Sequence, residues 1–167
     1  MTYTSTSTTT RTHTATYLTD VIMGAIADLL ADLRIDLTTL YRDWAQDENA
    51  ISAWILEGSL EEVVLECHQP GGIVAPIIEF PVSYKATGAG DAEFTASRAR
   101  FARFRAKLDS VPAGTTYRLF CIFNGPHSSQ PGWSPGTRAS TQGLRSINYG
   151  TLGSAPDASA SMHYRYR

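Results

Sequence analysis

Apolar residues at helical spacing mark two stretches in the first third of the chain. In residues 20–33 they recur at i, i+4, i+7, i+8 and i+11, which predicts an amphipathic helix with Thr19 or Asp20 as its N-cap. The positions are Ile22, Ile26, Leu29, Leu30 and Leu33. A second helical stretch covers residues 37–56 and could divide at the polar residues 47–49. Gly58 follows it and is suited to a helix C-terminus.

Period-two alternation then replaces the helical spacing. The segments LEEVVLECH and IVAPIIEFPVSYK, separated by QPGG, predict a β-hairpin over residues 60–85. Pro76 and Pro81 have no amide hydrogen to donate, so the second strand should lie at an edge of the sheet or carry a bulge.

A third helix and further strands complete the pattern. Asp91 can cap a helix that reaches Leu108, with Phe94, Phe101 and Phe104 on its apolar stripe. Residues 115–125, TTYRLFCIFNG, have apolar residues on both faces and predict a central strand. Residues 158–167 alternate as a terminal strand, and the threonine-rich start predicts a strand near residues 14–17. Helices beside an antiparallel sheet indicate an α+β domain.

Residues 124–158, rich in Gly, Pro, Ser and Thr, predict an unusually long loop. Structureless loops of more than about 12–15 residues are uncommon in compact domains and are often lids, binding loops or linkers. Too little chain follows for a linker to a second domain. Trp133 and Tyr149 either anchor the loop to the core or become ordered over a peptide, which could add as a strand beside the sheet.

Composition narrows the class of protein. The chain has 167 residues, 43% of them hydrophobic, which fits one domain with a proper core, and its net charge of -2 favours neither nucleic acid nor an anionic membrane. No apolar run suits a signal peptide or a membrane span. Cys67 and Cys121 lie singly in apolar runs, without the spacing of a disulfide framework. We therefore expect a cytoplasmic protein.

The sequence gives only weak signals for a catalytic or metal-binding site. Cys121 with His127 could form a nucleophile pair, but mid-strand packing is the better interpretation of that cysteine. Cys67 and His68 would point to opposite faces of a strand and cannot share a metal ion. The arginines of the third helix are expected to form a solvated face. The carboxylates at 61, 62, 66 and 79 are expected on the solvent side of the hairpin. The sequence predicts no enzyme, metal or cofactor.

Several segments together resemble bacterial HORMA-domain proteins. They are HTATYLTDVIMGAI, PIIEFPVSY, GDAEF, VPAGTTYRLFCIFNGP and PDASASMHYR, and the resemblance covers residues 13–164. It implies one HORMA-like domain, with a flexible N-terminal arm at 1–12, a core at 13–124 and a safety belt with the terminal strand at 125–167. Proteins of this family occur beside cGAS-like nucleotidyltransferases in CBASS anti-phage operons.

The resemblance also implies a function and partners. The safety belt would wrap a closure-motif peptide, with a second HORMA-like protein as one source, and the closed form would bind and activate a cGAS-like synthase. An AAA+ ATPase would reopen it from the N-terminus. The peptide would contact Thr115, Tyr117, Leu119, Cys121, Phe123, Trp133 and Tyr149. A structural subunit of a phage or appendage, exchanging its threonine-rich arm and long loop between neighbours, is the alternative.

Overall fold

The chain folds as one antiparallel sheet with helices on one face. The structure is a computed structural model that describes residues 3–85 and 94–167, with side chains from Thr10 onward. Its described elements are, in chain order, α1 (Tyr3–Asp32), α2 (Thr38–Arg42), α3 (Trp44–Glu57), β1 (Leu60–His68), β2 (Val74–Tyr84), β3 (Thr95–Ala96), α4 (Arg98–Arg105), β4 (Thr116–Phe123), β5 (Arg145–Ser154) and β6 (Ala158–Tyr166). The sheet order is β3-β5-β6-β2-β1-β4. The predicted α+β class is confirmed.

The core lies between the helices and one face of the sheet. α1 packs against α3 and lies over β5 and β6. Alternate residues of the strands complete the core, as Val63, Leu65 and Cys67 do on β1, each fully buried. Because successive side chains of a strand point to opposite faces, Glu62, Val64 and Glu66 lie on the other side of the sheet. We call that side, away from the helices, the back face.

The first helix is longer than the sequence predicts. The predicted strand near residues 14–17 and the predicted cap at Thr19 or Asp20 are wrong, because α1 runs unbroken from Tyr3 to Asp32. Ala15 and Leu18 precede Ile22 by seven and four residues, so they continue its apolar face, and both are buried. The Thr19 hydroxyl donates to the Ala15 carbonyl at 2.7 Å, which satisfies it inside the helix. Packing overrides the weak helix propensity of threonine.

Part of α1 is apolar enough to pass for a membrane span. Residues Thr10–Asp32 meet that test by length and composition, contrary to the expectation from the sequence. The apolar side chains of this segment are core residues that pack in the domain, among them Leu18, Ile22 and Leu29. The core therefore accounts for the apolarity of this helix.

The second helical stretch divides at Asp43, between α2 and α3, and not at residues 47–49. The predicted stop at Gly58 is confirmed. Gly58 has a φ of 79°, a left-handed conformation that glycine adopts without steric cost, and its amide donates to carbonyls of the last helical turn.

The predicted hairpin of β1 and β2 is confirmed, but β2 is not an edge strand. It lies between β1 and β6. Between Ile77 and Val74, β2 has one residue more than β1, so the predicted bulge is present and contains Pro76. The pairing of β2 with β6 is interrupted between Glu79 and Val82, where Pro81 has no amide hydrogen.

The helix predicted after the hairpin is α4, which begins at Arg98. Its N-cap is Ser97, whose hydroxyl accepts a hydrogen bond from the Arg100 amide at 3.3 Å. Asp91, the predicted cap, lies outside the described residues. The helix ends at Arg105, short of the predicted Leu108. Its arginines are not all solvated: Arg105 pairs with Asp32 at 2.6 Å, and Arg100 donates to backbone carbonyls of β5.

The strand predicted to be central, β4, lies at the edge of the sheet, so that prediction is wrong. Its pairing partner in the described part of the chain is β1. The predicted long loop is also shorter, because β5 lies within it and forms a hairpin with β6. The remaining loop, residues 124–144, is called the strap below. The alternation predicted for the terminal strand is confirmed, since Ala158, Ala160, Met162 and Tyr164 are buried.

The two segments that suggested an exchanged arm are packed within their own chain. Thr14 and Ala15 of the threonine-rich segment are buried in α1. β5 pairs with β6 of the same chain over most of its length. This arrangement removes the sequence feature that favoured a strand-exchanging subunit.

Candidate functional site

The outer edge of β4 presents backbone groups that the sheet does not use. In an antiparallel ladder only every second residue of an edge strand directs its amide and carbonyl groups toward its neighbour. β4 has eight residues, so it is about 27 Å long at 3.4 Å per residue. No backbone pairing between β4 and the strap occurs among the described residues. An unpaired edge of this length is a template for another strand.

The strap is attached to the helical side of the domain close to its start. The Trp54 indole Nε1 donates to the Ser128 carbonyl at 2.8 Å, and the Ser128 amide donates to Glu57 Oε1 at 2.9 Å. The His127 ring stacks on Phe123, with centroids 3.5 Å apart and an angle of 12° between the planes. These contacts fix the strap beside the C-terminal end of β4.

Trp133 holds the middle of the strap. Its ring meets that of Trp54 edge-on, with centroids 5.4 Å apart, and Trp54 also meets Phe123 edge-on at 4.8 Å. Edge-to-face pairs of this kind contribute about 0.5–1.5 kcal/mol beyond the area they bury. Trp54 itself is 2% exposed and belongs to the core. Trp54 therefore contacts the strap at its start, through Ser128, and at its middle, through Trp133.

The far part of the strap crosses to the back face. The Arg138 guanidinium pairs with Glu79 at 2.6 Å and with Glu62 at 3.5 Å, and the Ala139 amide donates to Glu66 Oε2 at 2.5 Å. Glu66 is fully buried and Glu79 is 6% exposed. The prediction that Glu62, Glu66 and Glu79 face solvent is wrong, because the strap covers them, whereas Glu61 is exposed as predicted. The strap thus passes around the edge of β4, from the helical face to the back face.

Charge around Arg138 is unevenly compensated. Burial opposes ionisation of Glu79, but hydrogen bonds from Arg138 and Arg165 outweigh it and lower the pKa of Glu79. Burial and the neighbouring Glu79 charge raise the pKa of Glu62 to about 7, against a smaller opposing effect of Arg138. Arg138 is therefore shared by two carboxylates, and the bond to Glu79 is the shorter one.

We expect the free energy of unfolding to fall when the pH rises from about 5.5 to 8. Burial also raises the pKa of Asp47, to about 6. The pKa values of Glu62 and Asp47 are raised by folding, so the folded state binds more protons than the unfolded state in this window. Stability is present at the acid end and is lost as the pH rises through the folded pKa values. Glu62→Gln should reduce the fall by roughly 1 kcal/mol, measured by urea unfolding at both pH values.

Asp47→Asn is the matched control for this prediction. It removes a second buried carboxyl, on α3, and should also reduce the fall. Of the two variants, only Glu62→Gln should alter the pH dependence of amide hydrogen exchange in the strap. An unchanged pH dependence of stability in Glu62→Gln would contradict the assignment.

A cavity of about 460 Å³ lies between the edge of β4 and the strap. We call it the edge cavity. One wall is β4, with Arg118, Phe120 and Cys121, and the other is residues 127–136 of the strap. Trp54 also lines it. Trp133 lines this space as well, and its indole Nε1 is buried without a hydrogen-bond partner among the described residues.

The structure brings most of the predicted peptide-binding residues to one place. Four of them lie on the core-facing side of β4 and are half-buried, namely Tyr117, Leu119, Cys121 and Phe123. Thr115 is buried just before that strand, and its hydroxyl donates to the Pro112 carbonyl. Trp133 lies opposite, in the strap. These six residues remain our candidates for peptide contact. Leu119, Cys121, Phe123 and Trp133 line the edge cavity, and Thr115 and Tyr117 lie outside its lining.

Tyr149 lies elsewhere. It is on β5, separated from β4 by three strands, and it is buried beneath α4 against Phe101 and Phe104. Placing it in the site was wrong because the sequence pattern showed a continuous loop where β5 begins. We exclude it from the candidate site.

The sequence reasoning missed the residues that tie the strap down. Trp54 reads as an ordinary core residue at helical spacing, and nothing in its pattern indicates the strap. Arg138 had a usable signal, because it is the one charged residue in residues 124–144. A lone cation in a polar loop and carboxylates in an otherwise apolar strand together predict an ion pair between the loop and the strand.

Metal ligands and reactive thiols are the two kinds of catalytic group that the described residues speak to. No group of three histidine, cysteine or acidic side chains among them could hold a metal ion. Burial, and then the Asp47 charge, raise the pKa of the Cys121 thiol, and burial raises that of Cys67 to about 12. Both thiols are thus held in the weakly nucleophilic protonated form. Cys67 is buried in the core and His68 is half-exposed beside Glu66 of the back face, so the two residues point to opposite faces of β1, as predicted.

Comparison with known proteins identifies relatives of the fold. Residues 3–167 match the family model described as Bacterial HORMA domain 2. A search of curated proteins gives no match. The crystal structure of the mitotic checkpoint complex contains a chain with 8% identity and a TM-score of 0.73, covering 92% of this chain and 98% of that one.

Two further solved structures are similar. C. elegans HTP-1 bound to the HIM-3 closure motif has 13% identity and a TM-score of 0.70, covering 91% of this chain and 89% of that one. A chain of the E. coli MS115-1 HORMA:CdnC:Trip13 complex has 13% identity and a TM-score of 0.61, covering 93% and 89%. At these identities the likeness concerns the fold.

Proposed function

The chain belongs to the Bacterial HORMA domain 2 family, and from this premise we propose that it is a peptide-binding regulatory switch. It captures an extended peptide as an added strand on β4 and holds it beneath the strap. The observation that carries the proposal is the edge cavity, a space of about 460 Å³ between an unpaired strand edge and a strap attached at both ends.

Strand addition explains why the edge is left open. A peptide aligned with Thr116–Phe123 can pair its backbone with the outward amide and carbonyl groups of every second residue of this eight-residue strand. Its alternate side chains would point toward Trp54 and Trp133 on one side and toward Arg118 and Phe120 on the other. Backbone pairing gives affinity, and the two sets of side-chain contacts give selectivity.

Trp133 supplies an independent indication of a ligand. An indole N–H that is buried without an acceptor costs about 1–3 kcal/mol relative to a satisfied one. Because Nε1 itself has no exposed surface, the Trp133 indole must turn toward the edge cavity before a peptide carbonyl or side-chain oxygen there provides the missing acceptor. Binding would then remove a penalty that the unliganded domain carries.

The attachment of the strap on both faces makes the closed form slow to release a peptide. Trp54 holds the strap on the helical side, and Arg138 holds it on the back face. A peptide between them can leave sideways only after one attachment opens. Release is therefore limited by opening of the strap as well as by affinity.

The partners follow from the same proposal. HTP-1 is bound to a closure motif, and the E. coli HORMA protein is in a complex with CdnC and Trip13. By analogy, the closure-motif peptide of this chain comes from a second HORMA-like protein or another partner. The closed form binds and activates a cGAS-like nucleotidyltransferase in cytoplasmic anti-phage defence. The role is binding and not catalysis.

An AAA+ ATPase acting on the N-terminus would reopen the switch. Support comes from the contacts of α1, because Arg11 donates to the Leu56 carbonyl and Thr14 donates to Asp157, in the turn between β5 and β6. Leu18 and Ile22, further along the helix, are core residues. Unfolding α1 from its start would remove the packing beneath the β5–β6 hairpin, to which the strap is joined.

The test uses a peptide selected by the chain itself from a phage-displayed library of random linear peptides. Hydrogen exchange of the complex should show added protection in Thr116–Phe123 and the strap, and none in β5. Two N-methylated peptides are compared, one methylated at its odd-numbered residues and one at its even-numbered residues. Only one of these two sets of amides donates to β4, so one methylated peptide should lose binding and the other should keep it. Isothermal titration calorimetry measures the affinity of both methylated peptides.

A scrambled peptide of the same composition is the control for sequence-independent binding. An equal loss of affinity in the two N-methylated peptides would argue against strand addition. Protection confined to α4 or β5 would place the peptide elsewhere and overturn the proposal.

A further inference from the structure

Arg118 differs from the other arginines on the back face. Arg138 and Arg165 each form an ion pair with Glu79, at 2.6 and 2.5 Å. Arg118 has no ion pair with any carboxylate in the described part of the chain, and its side chain is exposed. Its guanidinium lies 4.8 Å from the centre of the Phe120 ring, and Nη1 donates to the Thr137 carbonyl at a long 3.5 Å.

The carboxylate nearest in register does not neutralise Arg118. Glu66 lies directly opposite it on β1. One Glu66 oxygen is 3.1 Å from His68 Nε2, and the other accepts from the Ala139 amide. Each Glu66 oxygen thus has a partner other than Arg118, and most of the guanidinium donors of Arg118 remain available at the free edge of the sheet.

A strand added to β4 would place one side chain directly beside Arg118. Cross-strand neighbours share a face of the sheet, with Cβ atoms about 4.5–5.5 Å apart. An aspartate or glutamate at that peptide position reaches the guanidinium and can bond it through both oxygens. Gly136 of the strap passes so close that a Cβ there would overlap the Arg118 guanidinium. The strap thus lies directly against one side of the guanidinium, while the side chain remains exposed elsewhere.

We propose that the edge cavity selects acidic peptides, with an aspartate or glutamate opposite Arg118 on the back-face side of the added strand. This inference rests on the proposed peptide-binding function. The face of β4 toward Trp54 accepts the apolar residues of the peptide, so the preferred sequence alternates apolar and polar with one acidic position fixed.

The experiment compares peptides that four proteins select from a phage-displayed random linear library. The proteins are the wild type, Arg118→Gln, Arg118→Lys and Arg103→Gln, whose exposed arginine on α4 is the matched control. The wild type, Arg118→Lys and Arg103→Gln should enrich aspartate or glutamate at one position, and Arg118→Gln should not. Urea unfolding confirms that each variant is folded.

Affinity of the selected peptide completes the test. Replacing its acidic residue with the neutral amide should weaken binding to the wild type about tenfold, and binding to Arg118→Gln little or not at all. Enrichment of peptides without an acidic position, or an equal loss in both proteins, overturns this inference and leaves peptide binding intact. If the wild type enriches no peptide, the proposed function fails as well.

Discussion

Trp54→Ala is expected to lower the free energy of unfolding by about 3–5 kcal/mol, the range for truncating a buried tryptophan. The side chain is 2% exposed, and its ring contacts Phe123 and Trp133 edge-on. The variant also loses the hydrogen bond from the indole to the Ser128 carbonyl. We expect both a weaker core and a detached strap, measured by urea unfolding and by hydrogen exchange of residues 125–144.

Two further variants separate these effects. Trp54→Phe keeps most of the ring and removes the N–H donor, so it should cost about 1 kcal/mol and release mainly the start of the strap. Trp44→Ala is the matched control, because Trp44 is half-buried and its Nε1 donates within α3 to Glu48. It should lower stability without changing strap exchange. Equal exchange of the strap in Trp54→Phe and wild type would show that Ser128 is not an anchor.

The edge position of β4 could not be read from its own residues. Apolar side chains on both faces usually indicate a strand covered on both sides, and β4 is so covered, by the core and by the strap. The alternation reports which faces are buried but carries no information about the backbone edges. The position of β4 in the sheet depends on which strand the β5–β6 hairpin pairs with. That hairpin pairs with β2 through β6, so β4 remains at the edge.

Local propensity misjudged two other segments for a similar reason. The threonine-rich start favours strands when judged alone, yet the apolar positions Ala15 and Leu18 are in phase with the helix that follows, and packing against α3 decides the outcome. Within the predicted loop, β5 contains Gly150 and Gly153, and its pairing with β6 shifts register twice. Glycines and irregular pairing break the period-two pattern by which a strand is recognised.

The candidate site was predictable to the extent that it lies on one strand. Five of the six retained residues lie in residues 115–123, whose alternation fixes which side chains share a face. The rest of the site depends on contacts between distant segments, such as Trp54 with Ser128 and Arg138 with Glu79. No periodicity encodes such pairs, although the isolated charge of Arg138 was a signal.

Arg138→Met is expected to open the far attachment of the strap and to accelerate peptide dissociation by roughly tenfold or more, because breaking a buried ion pair leaves uncompensated charge. Methionine keeps the apolar stem and removes the cation shared by Glu62 and Glu79. The side chains involved are partly exposed, Arg138 by 27% and Glu62 by 17%. We therefore expect a loss of stability of about 2 kcal/mol, below the range for fully buried pairs.

Arg165→Met isolates the contribution of the strap, since Arg165 binds the same carboxylate from β6. Both variants deprive Glu79 of one cation and should lower the free energy of unfolding by similar amounts. Only Arg138→Met detaches the strap, so surface plasmon resonance with the selected peptide should show faster dissociation in that variant and a rate near that of the wild type in Arg165→Met. Equal acceleration in both would mean that the charge of the back face, and not the attachment of the strap, controls release.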